Sequence, residues 1–108
     1  MQDIVDALDD KRAKDIVVLD LHAVSDTLDY FVVATGESNL QLKALEESVR
    51  ERLKTSGVLP QGVEGKSNRW ILLDYGQVIV HLMSPEARSF YDLEGLWADA
   101  DHLEVVPS

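Results

Sequence analysis

The stretch Trp70–Met83, WILLDYGQVIVHLM, constrains the fold more than any other part of the chain. Two runs of aliphatic and β-branched residues flank Tyr75-Gly76, and glycine tolerates the positive φ that hairpin turns often demand. The segment therefore predicts two antiparallel strands. A two-residue turn at Tyr75-Gly76 pairs Asp74 with Gln77, Leu72 with Ile79 and Trp70 with His81. Strand alternation then sorts the side chains by face. Ile71, Leu73, Val78, Val80 and Leu82 make one wholly aliphatic face, the natural surface for helices to cover. Trp70, Leu72, Asp74, Gln77, Ile79, His81 and Met83 make the other, a mixed face that is the candidate for contact with something outside the chain.

The remaining segments supply what such a hairpin needs. Ile16–Leu21 (IVVLDL) and Tyr30–Thr35 (YFVVAT) are apolar, β-branched runs of strand length, separated by the turn-prone Ser25-Asp26-Thr27. Apolar side chains on both faces predict central strands. Before them, Ile4, Val5 and Leu8 recur at helical spacing, and Lys11, Arg12 and Lys14 are expected to close that helix at its negative end. Gly36 ends the second strand, and Ser38-Asn39-Leu40-Gln41 reads as a capping box. A helix is expected from there to about Ser56, with Leu42, Leu45, Val49 and Leu53 as its apolar stripe, Glu46 and Arg50 paired one turn apart, and Gly57 as the left-handed stop. Pro60 and Gly62 mark a loop, and Val63-Glu64-Gly65 is at most a short edge strand. Ser84-Pro85-Glu86 supplies the N-cap, first-turn proline and first-turn acid of a short helix through about Phe90. Asp92 caps a last turn carrying Leu93, Leu96 and Trp97. This order predicts an α/β sandwich on a mixed sheet of about five strands flanked by helices.

With 108 residues, no internal repeat and no linker-like tract, the chain reads as a single domain over 1–108 with one continuous core. No apolar run approaches the roughly 20 residues of a membrane span, and the acidic opening is unlike a signal or transit peptide. A cytoplasmic protein is expected. The absence of cysteine excludes disulfides, zinc-thiolate sites and thiol nucleophiles. Twenty acidic residues against ten basic ones give a net charge of -10, which repels phosphate backbones and favours basic partners. Sequence-specific nucleic-acid binding is therefore not expected.

Each residue of the mixed face also has an ordinary structural reading. Trp70 fits a core tryptophan as well as a binding anchor. His81 reads first as a structural histidine, because neither His22 nor His102 stands at metal-ligand spacing from it. Asp74 reads as a turn-stabilising aspartate, Tyr91 and Trp97 as closure of the core, and Asp9, Asp10, Asp99 and Asp101 as solvated surface. Support for catalysis is slight. Gly36-Glu37-Ser38 before a helix resembles a phosphate-binding turn with only one glycine, no following lysine and no acid pair for magnesium. No G-x-S-x-G occurs.

Four segments carry a resemblance to a known family: DYFVVATGESNLQLKAL (Asp29–Leu45), VEG (Val63–Gly65), WILLDYGQVIVHLM, and PEARSFYDLEGLW (Pro85–Trp97). In this order and spacing they resemble the ribosomal silencing factors, also called the Iojap family, across nearly the whole chain. The resemblance implies a nucleotidyltransferase-like α/β fold without catalytic acids, and a non-enzymatic translational repressor with no cofactor or metal. It implies binding to the basic protein uL14 on the large ribosomal subunit, a block to subunit joining under nutrient or energy limitation, and a possible homodimer. Trp70, Asp74, Gly76, His81, Glu86, Tyr91, Leu93 and Trp97 stand where the family pattern has the same residue or a close equivalent. Glu37, Leu40 and Gln77 depart from it, standing in place of a small hydroxyl residue, a frequent arginine and a frequent aspartate. The expected partner-binding residues are Trp70, Leu72, Asp74, Ile79, His81, Met83 and Tyr91. A nucleotide-binding enzyme and a plain dimerisation module are the alternatives.

Overall fold

The computed structural model describes residues 1–65 and 69–103, apart from the side chain of Leu96. Its elements are α1 (Gln2–Asp10), β1 (Lys14–Asp20), β2 (Tyr30–Thr35), α2 (Asn39–Thr55), β3 (Gly62–Glu64), β4 (Trp70–Asp74), β5 (Val78–Met83), α3 (Pro85–Tyr91), α4 (Leu93–Leu96) and β6 (Asp101–Leu103). The strands form one sheet in the order β3-β4-β5-β2-β1-β6. β2 and β5 run parallel at its middle, and the other pairs are antiparallel. Both central strands are buried along nearly their whole length, as runs of apolar residues on both faces require. The sheet has one strand more than expected. Asp101-His102-Leu103 pairs with the outer edge of β1 while staying exposed, so it shows no hydrophobic alternation to reveal it.

The hairpin forms with its two-residue turn one residue later than expected, at Gly76-Gln77. Trp70 pairs with Met83, Leu72 with His81 and Asp74 with Ile79. The turn is closed by the Tyr75 N–H donating to the Val78 carbonyl at 3.0 Å, with Gly76 at φ +86. The Gln77 carbonyl inside it accepts the N–H groups of Asp29 and Tyr30 at 2.8 and 3.2 Å, so the turn also starts the parallel pairing with β2. The register differs from the expected one by two residues, the side-chain period of a strand, and every side chain keeps its expected face.

One face of the sheet is covered by α1 and α2. Leu42, Leu45, Val49 and Leu53 of α2 and Ile4, Val5 and Leu8 of α1 pack on Val18, Val32, Ala34, Ile71, Leu73, Val80 and Leu82. Ser38 caps α2, its hydroxyl accepting the Gln41 N–H at 3.1 Å. The Gln41 side chain departs from a regular capping box. Its Oε1 accepts the Glu37 N–H at 2.7 Å, and its Nε2 donates to the carbonyls of Lys11 and Arg12. An amide can do both because it carries donor and acceptor together. Those contacts hold the end of α1, whose last turn contains no base: Lys11 is its cap, Arg12 follows at φ +60, and Lys14 already belongs to β1. At the far end of α2, Gly57 at φ +78 completes the expected stop, with Val58 N–H bonded to the Leu53 carbonyl.

The opposite face is covered by α3 and α4. Ala87 and Leu93 pack on Val33 and Met83, while Trp97 and Ala100 pack on Phe31, Ile79, Leu19 and Leu21. Arg88, its side chain only 12% exposed, fastens this layer. Its guanidinium donates to Glu94 Oε1 and Oε2 at 3.0 and 3.2 Å, to the Thr35 hydroxyl at 2.9 Å and to the Asp15 carbonyl at 2.5 Å. That carbonyl is available because β1 is bulged between Lys14 and Val17, with Asp15 at φ +50. Arg88→Ala leaves the partly buried Glu94 carboxylate without its partner and removes the bonds to Thr35 and the Asp15 carbonyl. It is expected to cost about 2–4 kcal/mol of stability in urea unfolding.

Candidate functional site

A helix with its side chains is roughly 10 Å across and strands are spaced about 4.8 Å apart, so one helix covers about two strands. On the α3–α4 side two short helices lie over β5, β2 and β1, and the strip above β3 and β4 is only partly covered. A cleft of about 650 Å³ opens there. Trp70 and Leu72 form its floor, and Ala87, Phe90 and Tyr91, on one side of α3, form a wall. The exposed carboxylates of Glu64 and Glu86 and the Arg69 side chain stand around this apolar centre. Gly65 closes the near end at φ +67, where a Cβ would sit 2.6 Å from the Trp70 carbonyl oxygen. Only glycine permits that approach.

Aromatic rings continue from the cleft into the core. Phe90 and Tyr91 meet edge to face at 5.0 Å, Tyr91 lies 4.6 Å from Trp70, and Trp70 lies 5.7 Å from His81. His81 then meets Phe31 at 4.7 Å, and Phe31 meets Trp97 at 5.4 Å. Phe90 and Tyr91 are 81% and 50% exposed, whereas His81 is 4% exposed, so the chain of rings runs from solvent to interior. The Trp70 Nε1–H donates to His81 Nδ1 at 3.1 Å. Indole can only donate, so Nδ1 must accept and the imidazole is neutral. Burial alone pushes the His81 pKa down from 6.5 to about 4, in keeping with that state.

The expected contact residues divide into three groups. Trp70, Leu72 and Tyr91 line the cleft. Ile79, His81 and Met83, at 9%, 4% and 0% exposure, lie beneath α3, α4 and the aromatic rings and cannot touch a partner in this conformation. Their face was the expected one, but the chain covers that part of it with its own C-terminal helices. Asp74 lies at the hairpin connection, its Oδ1 accepting the Gly76 N–H at 2.7 Å, and does not line the cleft. Glu64, Gly65, Arg69, Glu86, Ala87 and Phe90 line it without having been singled out for contact. The adjacent aromatic pair Phe90-Tyr91 after Ala87 was the available signal, but its direction depends on how α3 lies over the sheet.

The start of α2, the segment that resembles a phosphate-binding turn, is occupied by its own side chains. Gln41 Oε1 holds the Glu37 amide, Ser38 holds the Gln41 amide, and the Glu37 carboxylate pairs with Lys14 at 2.8 Å. Among the described residues, no group of three or more histidine, aspartate or glutamate side chains could hold a metal ion, and no helix is long and apolar enough to cross a membrane.

These features define a small α/β domain with a mixed six-stranded sheet and an exposed aromatic cleft edged by charge. Comparison places it more closely. A family model described as "Ribosomal silencing factor during starvation" matches residues 1–107. Ribosomal silencing factor RsfS of Chromobacterium violaceum is 46% identical over 94 residues, covering 86% of this chain and 77% of that protein. RsfS of Bacillus subtilis is 40% identical over 95 residues, covering 87% and 80%. A crystal structure of a protein from Chromobacterium violaceum superposes with a TM-score of 0.86 at 39% identity, covering 99% of this chain and 89% of that one. The chain belongs to the ribosomal silencing factor (RsfS) family.

The buried neutral imidazole makes stability depend on pH. Folded His81 stays unprotonated down to about pH 4, whereas the unfolded chain takes up its proton near 6.5. Its contribution is therefore complete above pH 6.5 and lost as pH falls toward 4, by about 3 kcal/mol in all. His22 has the opposite sign: Asp20, with help from Asp29, raises its pKa, so its contribution is present at low pH and lost as pH rises through the folded value. Urea unfolding of wild type and His81→Asn between pH 7 and 5 separates the two, and the wild type is expected to lose more stability on acidification than the variant.

Proposed function

We propose that this protein is a translational repressor that docks its aromatic cleft on the basic protein uL14 of the large ribosomal subunit and so prevents the small subunit from joining, when nutrients or energy are scarce. The observation that carries the reading is the cleft itself. Half-buried Trp70 and Leu72, backed by exposed Tyr91 and Phe90 and flanked by Glu64 and Glu86, have the composition of an interface centre with a charged edge. Membership of the RsfS family supplies the ribosome as the setting. A net charge of -10 steers such a domain toward a cationic ribosomal protein and away from bulk RNA. Blocking needs only bulk, and the fold measures 33 × 33 × 27 Å.

On this reading the protein is non-enzymatic, works in the cytoplasm and needs no cofactor. Self-association into a homodimer, which the resemblance implies, is read by light scattering in the absence of ribosomes. Co-sedimentation with separated subunits is the direct test. Binding to large subunits and a lower yield of joined ribosomes are expected; unchanged gradient profiles at saturating protein refute the proposal. Magnesium-dependent nucleotide turnover by the pure protein would favour the enzyme reading instead.

Tyr91→Ala, at a half-exposed position, is expected to weaken uL14 binding while the protein melts near wild type. Trp70→Ala should cost about 2 kcal/mol or more of binding, beyond whatever it costs in melting temperature. Normal uL14 binding by both variants would place the contact elsewhere. Association should also slow as ionic strength rises, because the screening length falls from about 30 Å at 0.01 M to about 8 Å at physiological salt. Stopped-flow rates that ignore salt would remove charge from the account.

A further inference from the structure

Trp70 is held by something more specific than packing. A tryptophan on a strand has more than one common staggered side-chain rotamer open to it, so contacts must choose between them. Two contacts do. Tyr91 lies against the ring from the α3 side, and the indole N–H meets His81 Nδ1 across the strand pair at 3.1 Å. Only the second is directional, since it fixes which edge of the indole faces inward.

Histidine is otherwise a costly choice at position 81. Its Nε2 is buried with no hydrogen-bond partner among the described residues, and the Phe31 and Trp70 rings beside it could pack against an apolar ring as well. What imidazole supplies that phenylalanine or leucine cannot is an acceptor at the Nδ1 position. We propose that His81 is a positioning residue for the cleft: by accepting the Trp70 indole N–H it sets the rotamer in which Trp70 forms the floor, a role that rests on the docking reading of that cleft. His81 thus acts on a partner only through Trp70, which fits its 4% exposure.

The test uses the full chain and purified uL14. His81→Asn places a carbonyl oxygen close to the Nδ1 position and keeps the acceptor, whereas His81→Phe fills the site and removes it. The readouts are the Trp70 indole N–H resonance, assigned with Trp97→Phe, its exchange rate with solvent, and the affinity for uL14. His81→Phe is expected to shift the resonance, speed exchange and weaken binding about tenfold, the effect of one ordinary orienting hydrogen bond. His81→Asn should stay close to wild type in all three. In a Trp70→Phe background, His81→Phe should cost nothing further in binding. An unchanged indole resonance in folded His81→Phe overturns the proposal, as does the same binding loss with or without the Trp70 indole. If His81→Phe does not fold, His81→Leu replaces it. If wild type fails to bind uL14, the docking reading falls, and the indole resonance and exchange decide the positioning role alone.

Discussion

The parallel pairing of β2 with β5 is the constraint on which the rest of the structure depends. Parallel neighbours cannot be joined by a tight turn, so the chain between them must leave the sheet and return, and both faces of the pair must be buried. The intervening chain meets the first demand with α2 and the second strand pair β3–β4. The second demand needs two helical layers. α1 and α2 provide one, and the segment after β5 turns back at Ser84 to provide the other, its hydroxyl capping α3 at the Ala87 amide. Arg88 then fixes that return by reaching the β1 bulge and Thr35, the last residue of β2.

The two layers are unequal. α2 has 17 residues and crosses its face with a full apolar stripe, while α3 and α4 have 7 and 4. The shortfall on the second face falls over β4 and β3, and the cleft is its direct result. Trp70 stands at that margin, half-buried, with His81 and Met83 on its covered side and Tyr91 on its open side. The core and anchor readings of this tryptophan are therefore compatible, because one side of the ring is packed and the other faces the cleft.

The segment Gly36-Glu37-Ser38 resembles a phosphate-binding turn in sequence only. Gln41 and Ser38 take up amides at the start of α2, and Glu37 adds negative charge beside them. The exposed cleft is instead aromatic, with the carboxylates of Glu64 and Glu86 and the Arg69 side chain at its edge.

Much of the architecture is written in local patterns. The limits of β2 and β4, the stripe of α2, the stop at Gly57, the caps at Ser84 and Asp92 and the sorting of hairpin faces all depend on near neighbours, so a linear sequence contains them. The family resemblance was likewise legible, because its segments run the length of the chain. Only the tertiary structure decided the rest. The hairpin turn falls one residue later, where the Gln77 carbonyl also accepts from the start of β2, and β6 pairs with the open edge of β1. Ile79, His81 and Met83 left the surface because α3 and α4 fold over them, while Glu86 and Phe90 of α3 and Glu64 of β3 came together around Trp70 of β4. A strand pattern fixes which side chains share a face. How much of that face stays open depends on the length and placement of helices packed against it, a long-range balance that no local spacing records.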